Sequence, residues 1–180
     1  MKLLRLTLAL VSVALLGALP LAARVSPHET VSLNVDDNRV IVVYGRPYSK
    51  DPKTGEVRKI WGALVPAGKV WRTGADEATM FTTQKPIILG GATIPAGAYT
   101  LFTLLAADGS AKLVVNKQVG QWGTQYNEAQ DLVRIDLKKD ALAAPVDQFT
   151  VALTKGPSGG GILILSWENT QYSVPFTVQK

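Results

Sequence analysis

Residues 98–116 read AYTLFTLLAADGSAKLVVN, and they carry the clearest indication of fold class in the chain. Over residues 98–105 alternate side chains point to one face, as strand geometry requires. Asp108 and Gly109 then supply a turn, and residues 111–116 return as a second apolar run. The face formed by the first run contains Tyr99, Leu101, Thr103 and Leu105. This stretch therefore predicts an antiparallel hairpin.

The same period-two pattern recurs along the chain, and no window of helical length keeps a 3.6-residue stripe. Residues Asp36–Asn38 predict the turn of another hairpin, and residues 120–130 predict at most one helical turn. Pro175 predicts an edge strand, because proline has no backbone N–H to donate to a neighbouring strand. The other runs that predict strands are residues 31–35, 39–44, 78–83, 87–89, 132–137, 149–153, 162–167 and 172–178. About nine or ten short strands indicate an all-β fold, a single-domain antiparallel β-sandwich or jelly roll with little helix.

Residues 1–23 have the composition of a secretion signal. Two basic residues precede an uncharged, mostly apolar run at residues 6–16, and small residues follow as far as Ala23. An uncleaved membrane anchor is the alternative, because the segment is almost long enough to span a bilayer. A glycine and a proline after the apolar run favour cleavage. We therefore expect a periplasmic or extracellular protein in which residues 24–180 form one β-sandwich domain, with no membrane span after cleavage.

Composition excludes several classes of function. The chain has no cysteine, so it has neither a lipoprotein attachment site nor a disulfide framework. Its one histidine, His28, cannot form a nitrogen or sulfur metal site alone, and no oxygen-rich calcium loop appears, so we expect no metal and no cofactor. The chain has 19 basic and 14 acidic residues, and Lys2 and Arg5 would be lost with the leader. The mature chain would then carry 17 basic and 14 acidic residues, a net charge of +3. This mild and scattered charge argues against a nucleic-acid partner.

The densest polar cluster is the segment WRTGADEAT at residues 71–79. Arginine binds carboxylates and phosphates through a planar, bidentate fork, and Asp or Glu holds hydroxyl groups or orients the arginine. Arg72, Asp76 and Glu77 are therefore candidate ligand-binding residues. The alternative is a structural brace, in which Arg72 folds back over the loop and pairs with Asp76 or Glu77.

A hydrolase is another alternative for this segment. Adjacent carboxylates such as Asp76 and Glu77 point to opposite faces of an extended chain, so they do not converge on one bond. Catalysis would need a distant carboxylate such as Asp131 or Glu168. We therefore assign no catalytic residue from the sequence.

Two further segments carry groups that are common in ligand sites. Tyr44 and Arg46 lie at the end of an apolar strand and just after it. Asn116 lies at the end of another strand, and Trp122 follows that strand. Aromatic and guanidinium groups line many pockets, and an exposed indole stacks on sugar rings. The alternatives are an ordinary strand exit, where tyrosine bridges core and water, and a tryptophan that only packs.

These polar groups all lie in loops next to strand ends, where binding residues collect on a rigid sandwich. We therefore expect a protein that binds a small polar or carbohydrate-like ligand. The candidate ligand-binding residues are Tyr44, Arg46, Arg72, Asp76, Glu77, Asn116 and Trp122. A periplasmic hydrolase that uses loop carboxylates and a structural envelope protein without a ligand are the alternatives.

Several segments of the chain together resemble the DUF2911 family of exported bacterial proteins. They read YGRP at residues 44–47, IWGALVPAGKVWRTGADEAT at 60–79, IPAGAYTLF at 94–102, NK at 116–117 and QWG at 121–123. The resemblance covers nearly the whole domain, and Asp76 stands where many members have Asn. It implies one exported domain. The family has no known function, so the resemblance adds no catalytic residue.

The mature protein is expected to begin within a few residues of Arg24. Signal cleavage follows small residues, and Ala22 and Ala23 are the last of these before the polar sequence begins. N-terminal sequencing of the protein recovered from the periplasm or the medium tests this expectation. Soluble protein that still begins at Met1 would contradict it.

Overall fold

The computed structural model describes residues 26–157 and 159–180, and the signal peptide expected at residues 1–23 lies outside them. The described chain is all-β, and its one helical segment is a 3₁₀ turn at Glu128–Gln130, within the segment where the sequence predicts at most one helical turn. No helix in this part of the chain is long and apolar enough to cross a membrane. The strands are β1 His28–Val35, β2 Asn38–Gly45, β3 Val70–Trp71, β4 Thr79–Thr83, β5 Ile87–Leu89, β6 Ala92–Ile94, β7 Gly97–Leu105, β8 Ala111–Asn116, β9 Asp131–Lys155 and β10 Gly161–Val178.

The strands form one antiparallel sheet with the order β1-β2-β4-β7-β8-β9-β10-β5-β6, and β3 pairs with β7 beside β4. The part of β9 up to Leu137 pairs with β8, whereas the part from Lys138 onward pairs with β10. β9 thereby carries the sheet from one half of the molecule to the other, and buried side chains of both halves share one core. The all-β antiparallel prediction is confirmed, as a sandwich-like fold made from one continuous sheet that does not close into a barrel.

Two pairs of predicted strands are each one continuous strand. The runs at residues 132–137 and 149–153 both lie in β9, and those at 162–167 and 172–178 both lie in β10. The pairing of β9 with β10 shifts register between Ser166 and Thr170, around Glu168, which has a φ of 50°. Such bulges increase local twist and bend without ending the strand. The two long strands therefore bend together, and the sequence prediction of a break in each was wrong.

Pro175 lies inside β10, where the sequence predicts an edge strand. That prediction was wrong, because β10 lies between β9 and β5. Pairing of β10 with β9 ends at Ser173, and pairing with β5 begins at Phe176. The carbonyl oxygen of Pro175 accepts a hydrogen bond from the backbone N–H of Gly90 at 2.9 Å. Because pairing with β9 has already ended at Pro175, its lack of an N–H removes no hydrogen bond between β9 and β10.

An aromatic cluster fills the core where β3, β9 and β10 meet. Trp71 stacks on Trp167, with ring centroids 5.7 Å apart and planes inclined by 25°. Phe149 packs edge-on against Trp71 at 4.9 Å and against Tyr44 at 5.8 Å. Aromatic pairs of these geometries contribute about 0.5–1.5 kcal/mol each beyond the area that they bury. The cluster therefore joins both halves of the sheet through side chains that are almost completely buried.

Between β3 and β4 the chain leaves the sheet over residues 72–78, a segment called here the site loop. Trp71 and Thr79, which flank it, pair with Thr103 and Leu101 of β7. The site loop is therefore inserted into what would otherwise be one strand along β7. It begins directly after the tryptophan that stacks in the aromatic cluster.

Candidate functional site

A cleft of about 230 Å³ lies beside the site loop, next to the ends of β2 and β3 and to β10. Its charged side chains are those of Arg58, Arg72 and Asp76, and Trp71 and Trp167 of the aromatic cluster form an apolar wall. The remaining lining residues are Ser26, Pro47, Tyr48, Pro52, Leu64, Gly74 and Ala75. The cleft thus combines three charged groups with an aromatic surface.

The charged side chains of the cleft hold buried polar atoms that have no hydrogen-bond partner in the described chain. These atoms are Nε of Arg58, Nε of Arg72 and Oδ2 of Asp76, and the indole Nε1 of Trp167 has the same property. Most buried polar atoms in proteins are hydrogen-bonded, because a buried atom left unsatisfied costs about 1–3 kcal/mol. Four such atoms around one cleft indicate bonding capacity that the fold itself does not use.

The site loop is tied at its base by buried threonines. Thr79 donates from Oγ1 to the carbonyl oxygen of Thr73 at 2.6 Å and from its backbone N–H to the carbonyl oxygen of Arg72 at 3.3 Å. The hydroxyl groups of Thr73 and Thr103 are hydrogen-bonded at 2.8 Å, which anchors the loop to β7. These bonds hold the backbone on both sides of Arg72 without using its side chain.

Two residues of the site loop other than glycine have a left-handed backbone conformation. The φ angles are 51° at Thr73 and 63° at Asp76. Such conformations are uncommon outside glycine and cost roughly 1–3 kcal/mol, with Asp and Asn tolerating them best. Strain of this kind persists only where surrounding bonds impose it, and it is frequent at binding sites. The backbone of the loop is therefore held in one defined shape.

Two glycines allow neighbouring backbone to approach the site loop. A Cβ at Gly45 would collide with the carbonyl oxygen of Ala75, whose N–H donates to the Gly45 carbonyl at 3.2 Å. A Cβ at Gly123 would collide with the side-chain stem of Arg72 and with the carbonyl oxygen of Asp76, to which the Gly123 N–H donates at 3.0 Å. The stem of Arg72 is thus confined by the backbone at Gly123.

Sequence reasoning missed Arg58, Trp71 and Trp167 as lining residues of the cleft. Arg58 lies in irregular chain between β2 and β3, where its Nη2 donates to the carbonyl oxygen of Tyr48 and its backbone N–H donates to that of Ser49 at 3.0 Å. No sequence pattern indicates these loop contacts. The sequence identifies Trp71 and Trp167 only as apolar residues that pack in the core. It does not show which edge of each ring faces a cleft.

Tyr44 and Arg46 connect strands and do not line the cleft. Arg46 forms an ion pair with Glu29 at 2.9 Å and donates to the carbonyl oxygen of Phe149 at 3.2 Å and to Oγ1 of Thr150 at 2.9 Å. Tyr44 donates to the same Glu29 carboxylate at 3.0 Å, and burial raises the pKa of its phenol to about 12. Both side chains therefore tie β1 and β2 to β9.

The remaining candidates also lie outside the cleft. Asn116 is fully buried and donates to Oδ1 of Asp131 at 2.8 Å, which holds the loop after β8. Trp122 is 48% exposed and forms a backbone bridge with Glu77. Glu77 is hydrogen-bonded to Nε2 of His28 at 2.9 Å, which links the site loop to β1. Of the seven candidates, the structure brings Arg72 and Asp76 together in the cleft.

Arg72 does not pair with Asp76 in the part of the chain that the structure describes. The Nε of Arg72 and the Oδ2 of Asp76 have no hydrogen-bond partner there. The expected Arg72–Asp76 pair was therefore wrong. The loop is braced instead by the threonine bonds and by backbone bonds to Gly45 and Gly123, so its shape does not depend on the guanidinium.

The carboxylates that a hydrolase would recruit do not join Asp76. Asp131 accepts hydrogen bonds from Arg134 at 2.8 Å and from the Tyr126 hydroxyl at 2.6 Å. Glu168 lines a different cleft, where burial raises the pKa of its carboxyl group. Asp76 is the single carboxylate among the described lining residues of the cleft. The described lining of the cleft therefore holds no pair of carboxylates of the kind that glycosidases use.

A family model described as a protein of unknown function, DUF2911, matches residues 26–176. No curated protein and no solved structure matches the chain. All of the lining residues of the cleft lie within the matched range. The cleft is therefore part of the matched domain.

Replacement of two arginines should separate bracing from binding. Arg46→Gln is expected to lower the free energy of unfolding by about 1–2 kcal/mol, because it removes charged hydrogen bonds between strands. Arg72→Gln removes no bond of the fold, so its effect should stay within about 0.5 kcal/mol. Urea unfolding of the two variants beside the parent measures both values. A loss in Arg72→Gln as large as that in Arg46→Gln would restore the brace interpretation.

Proposed function

This chain belongs to the DUF2911 family of proteins of unknown function, and we propose that it is an exported protein that binds a small polar or carbohydrate-like ligand in the cleft beside the site loop. Arg58, Arg72 and Asp76 supply the polar contacts. Trp71 and Trp167 supply the apolar wall.

One observation carries the proposal. Arg72 and Asp76 line the same cleft, each keeps a buried polar atom without a protein partner, and the two do not pair with each other. Opposite charges that served only to stabilise the loop would be expected to meet, because an unpaired buried charge is costly. Groups that are held in place with free bonding capacity are preorganised for a ligand. This favours binding over a purely structural role in the envelope.

The shape of the cleft supports a small ligand. Its volume of about 230 Å³ lies below the range of roughly 300–1,000 Å³ that is usual for drug-sized ligands. Trp71 and Trp167 line the cleft but are almost completely buried, so Tyr48 and Leu64, which are 36% and 39% exposed, supply its accessible apolar surface. Aromatic surfaces of this kind suit the apolar face of a sugar ring or a short aliphatic stem. A single ring or a short acid therefore matches the space.

We propose that binding takes place outside the cytoplasm. The support is the leader-like sequence at residues 1–23. The first lining residue of the cleft is Ser26. A mature chain that begins close to Arg24 would therefore retain every residue of the proposed site.

Thermal unfolding in the presence of a panel of monosaccharides and small organic acids tests the proposal. A ligand at a hundred times its dissociation constant adds about 2.7 kcal/mol to the free energy of unfolding, which gives a readily measured rise in Tm. Arg72→Gln and Asp76→Asn should abolish or reduce this rise, because both side chains line the cleft and each holds a buried polar atom without a partner in the described chain.

Arg39→Gln is the matched control. Arg39 is exposed and lies at the end of β2 remote from the cleft, so the control should keep the ligand-induced rise in Tm. A rise that persists unchanged in Arg72→Gln and Asp76→Asn would place the ligand elsewhere. No rise with any member of the panel would contradict the proposed function.

A further inference from the structure

The charges and donors of the cleft point to a more specific class of ligand. We infer that the ligand is a small hydroxy acid, in which one carboxylate contacts the arginines and a neutral hydroxyl group donates to Asp76. This inference rests on the proposed function, because it names the chemistry of the same cleft.

The charge balance calls for one negative charge on the ligand. Among the described lining residues the charged ones are Arg58, Arg72 and Asp76, which sum to +1. Arginine stays protonated at every physiological pH, so a neutral ligand would leave one guanidinium uncompensated in a partly closed cleft. A single carboxylate balances this charge. A phosphate, at about −1.5 to −2, would exceed it.

The hydrogen-bonding inventory favours the same group. Among the described lining residues of the cleft, the buried atoms without protein partners comprise three donors, the two arginine Nε–H groups and the Trp167 indole N–H, and one acceptor, Oδ2 of Asp76. The planar guanidinium fork matches the two oxygens of a carboxylate. The terminal Nη2 of Arg58 already donates to the Tyr48 carbonyl, which holds this fork in place. A carboxylate therefore uses the excess of donors.

Asp76 selects for a donor elsewhere on the ligand. Its Oδ2 is already buried and accepts no hydrogen bond in the described chain, so a ligand that does not donate to it leaves that desolvation uncompensated. An ammonium group could donate, but it would add a positive charge beside Arg58 and Arg72 and restore the imbalance. A hydroxyl group donates at no cost in charge. The inference is therefore a hydroxy acid rather than an amino acid.

Matched probes separate the two requirements. D-glucuronate carries a carboxylate and hydroxyl groups on one ring, D-glucose lacks the carboxylate, and cyclohexanecarboxylate lacks the hydroxyl groups. D-gluconate and D-glycerate are open-chain hydroxy acids, and D-serine replaces the 2-hydroxyl group of D-glycerate with an ammonium group at the same configuration. Titration calorimetry of the leader-free protein with each probe gives the dissociation constants.

We expect at least one of the three hydroxy acids to bind about 10- to 100-fold more tightly than D-glucose or cyclohexanecarboxylate, because each charged hydrogen bond contributes on that scale. Arg72→Gln should remove the preference over D-glucose. Asp76→Asn should keep that preference but reduce the preference over cyclohexanecarboxylate, because an amide oxygen is a weaker acceptor than a carboxylate. Arg39→Gln should leave all of these ratios unchanged.

The outcomes distinguish this inference from the proposed function. Binding of D-glucose that equals or exceeds binding of the hydroxy acids, and that is lost in Arg72→Gln, would overturn the ligand class and leave the cleft as a binding site. Tighter binding of D-serine than of D-glycerate would overturn the choice of a neutral donor. No binding by any probe would overturn the hydroxy-acid inference, and the wider monosaccharide and acid panel would then decide the proposed function separately.

Discussion

The stack of Trp71 on Trp167 is the contact on which the rest of the structure depends. It joins β3 in one half of the folded sheet to β10 in the other, and Phe149 of β9 packs against both rings. Because Trp71 is fixed in the core, the next residue must leave it, and Arg72 emerges at the cleft. The same packing that buries the aromatic side chains therefore determines where the guanidinium is presented.

Arg46 and Arg72 show how one fold uses the same side chain in two ways. Arg46 is bonded to Glu29 on β1 and to two residues of β9, so its charge is compensated within the protein. Arg72 is confined at its stem by Gly123, yet its Nε has no partner among the residues that the structure describes. An arginine whose position is restricted while its bonding capacity remains free is what a preorganised binding group requires.

Much of the fold could be predicted from local sequence. The hairpins around Asp36 and Gly109 follow from side-chain alternation and turn chemistry, which act over a few residues. The continuity of β9 and β10 could not be predicted, because it depends on paired bulges near Glu168 in strands that meet only after folding. Arg72 and Asp76 were recognisable as a polar cluster in one loop. The role of Arg58 was not, because it depends on where an irregular segment settles against distant chain.

If the cleft is the binding site, Arg58 and Arg72 contact the ligand and Arg46, which braces strands, does not. The most direct measurement is the movement of arginine Nε–Hε signals in ¹H–¹⁵N spectra as D-glucuronate is added, with signals assigned from single Arg→Gln variants. We expect the signals of Arg58 and Arg72 to shift together with increasing ligand, and the signal of Arg46 to stay in place. A shift at Arg46 with stationary signals at Arg58 and Arg72 would contradict it.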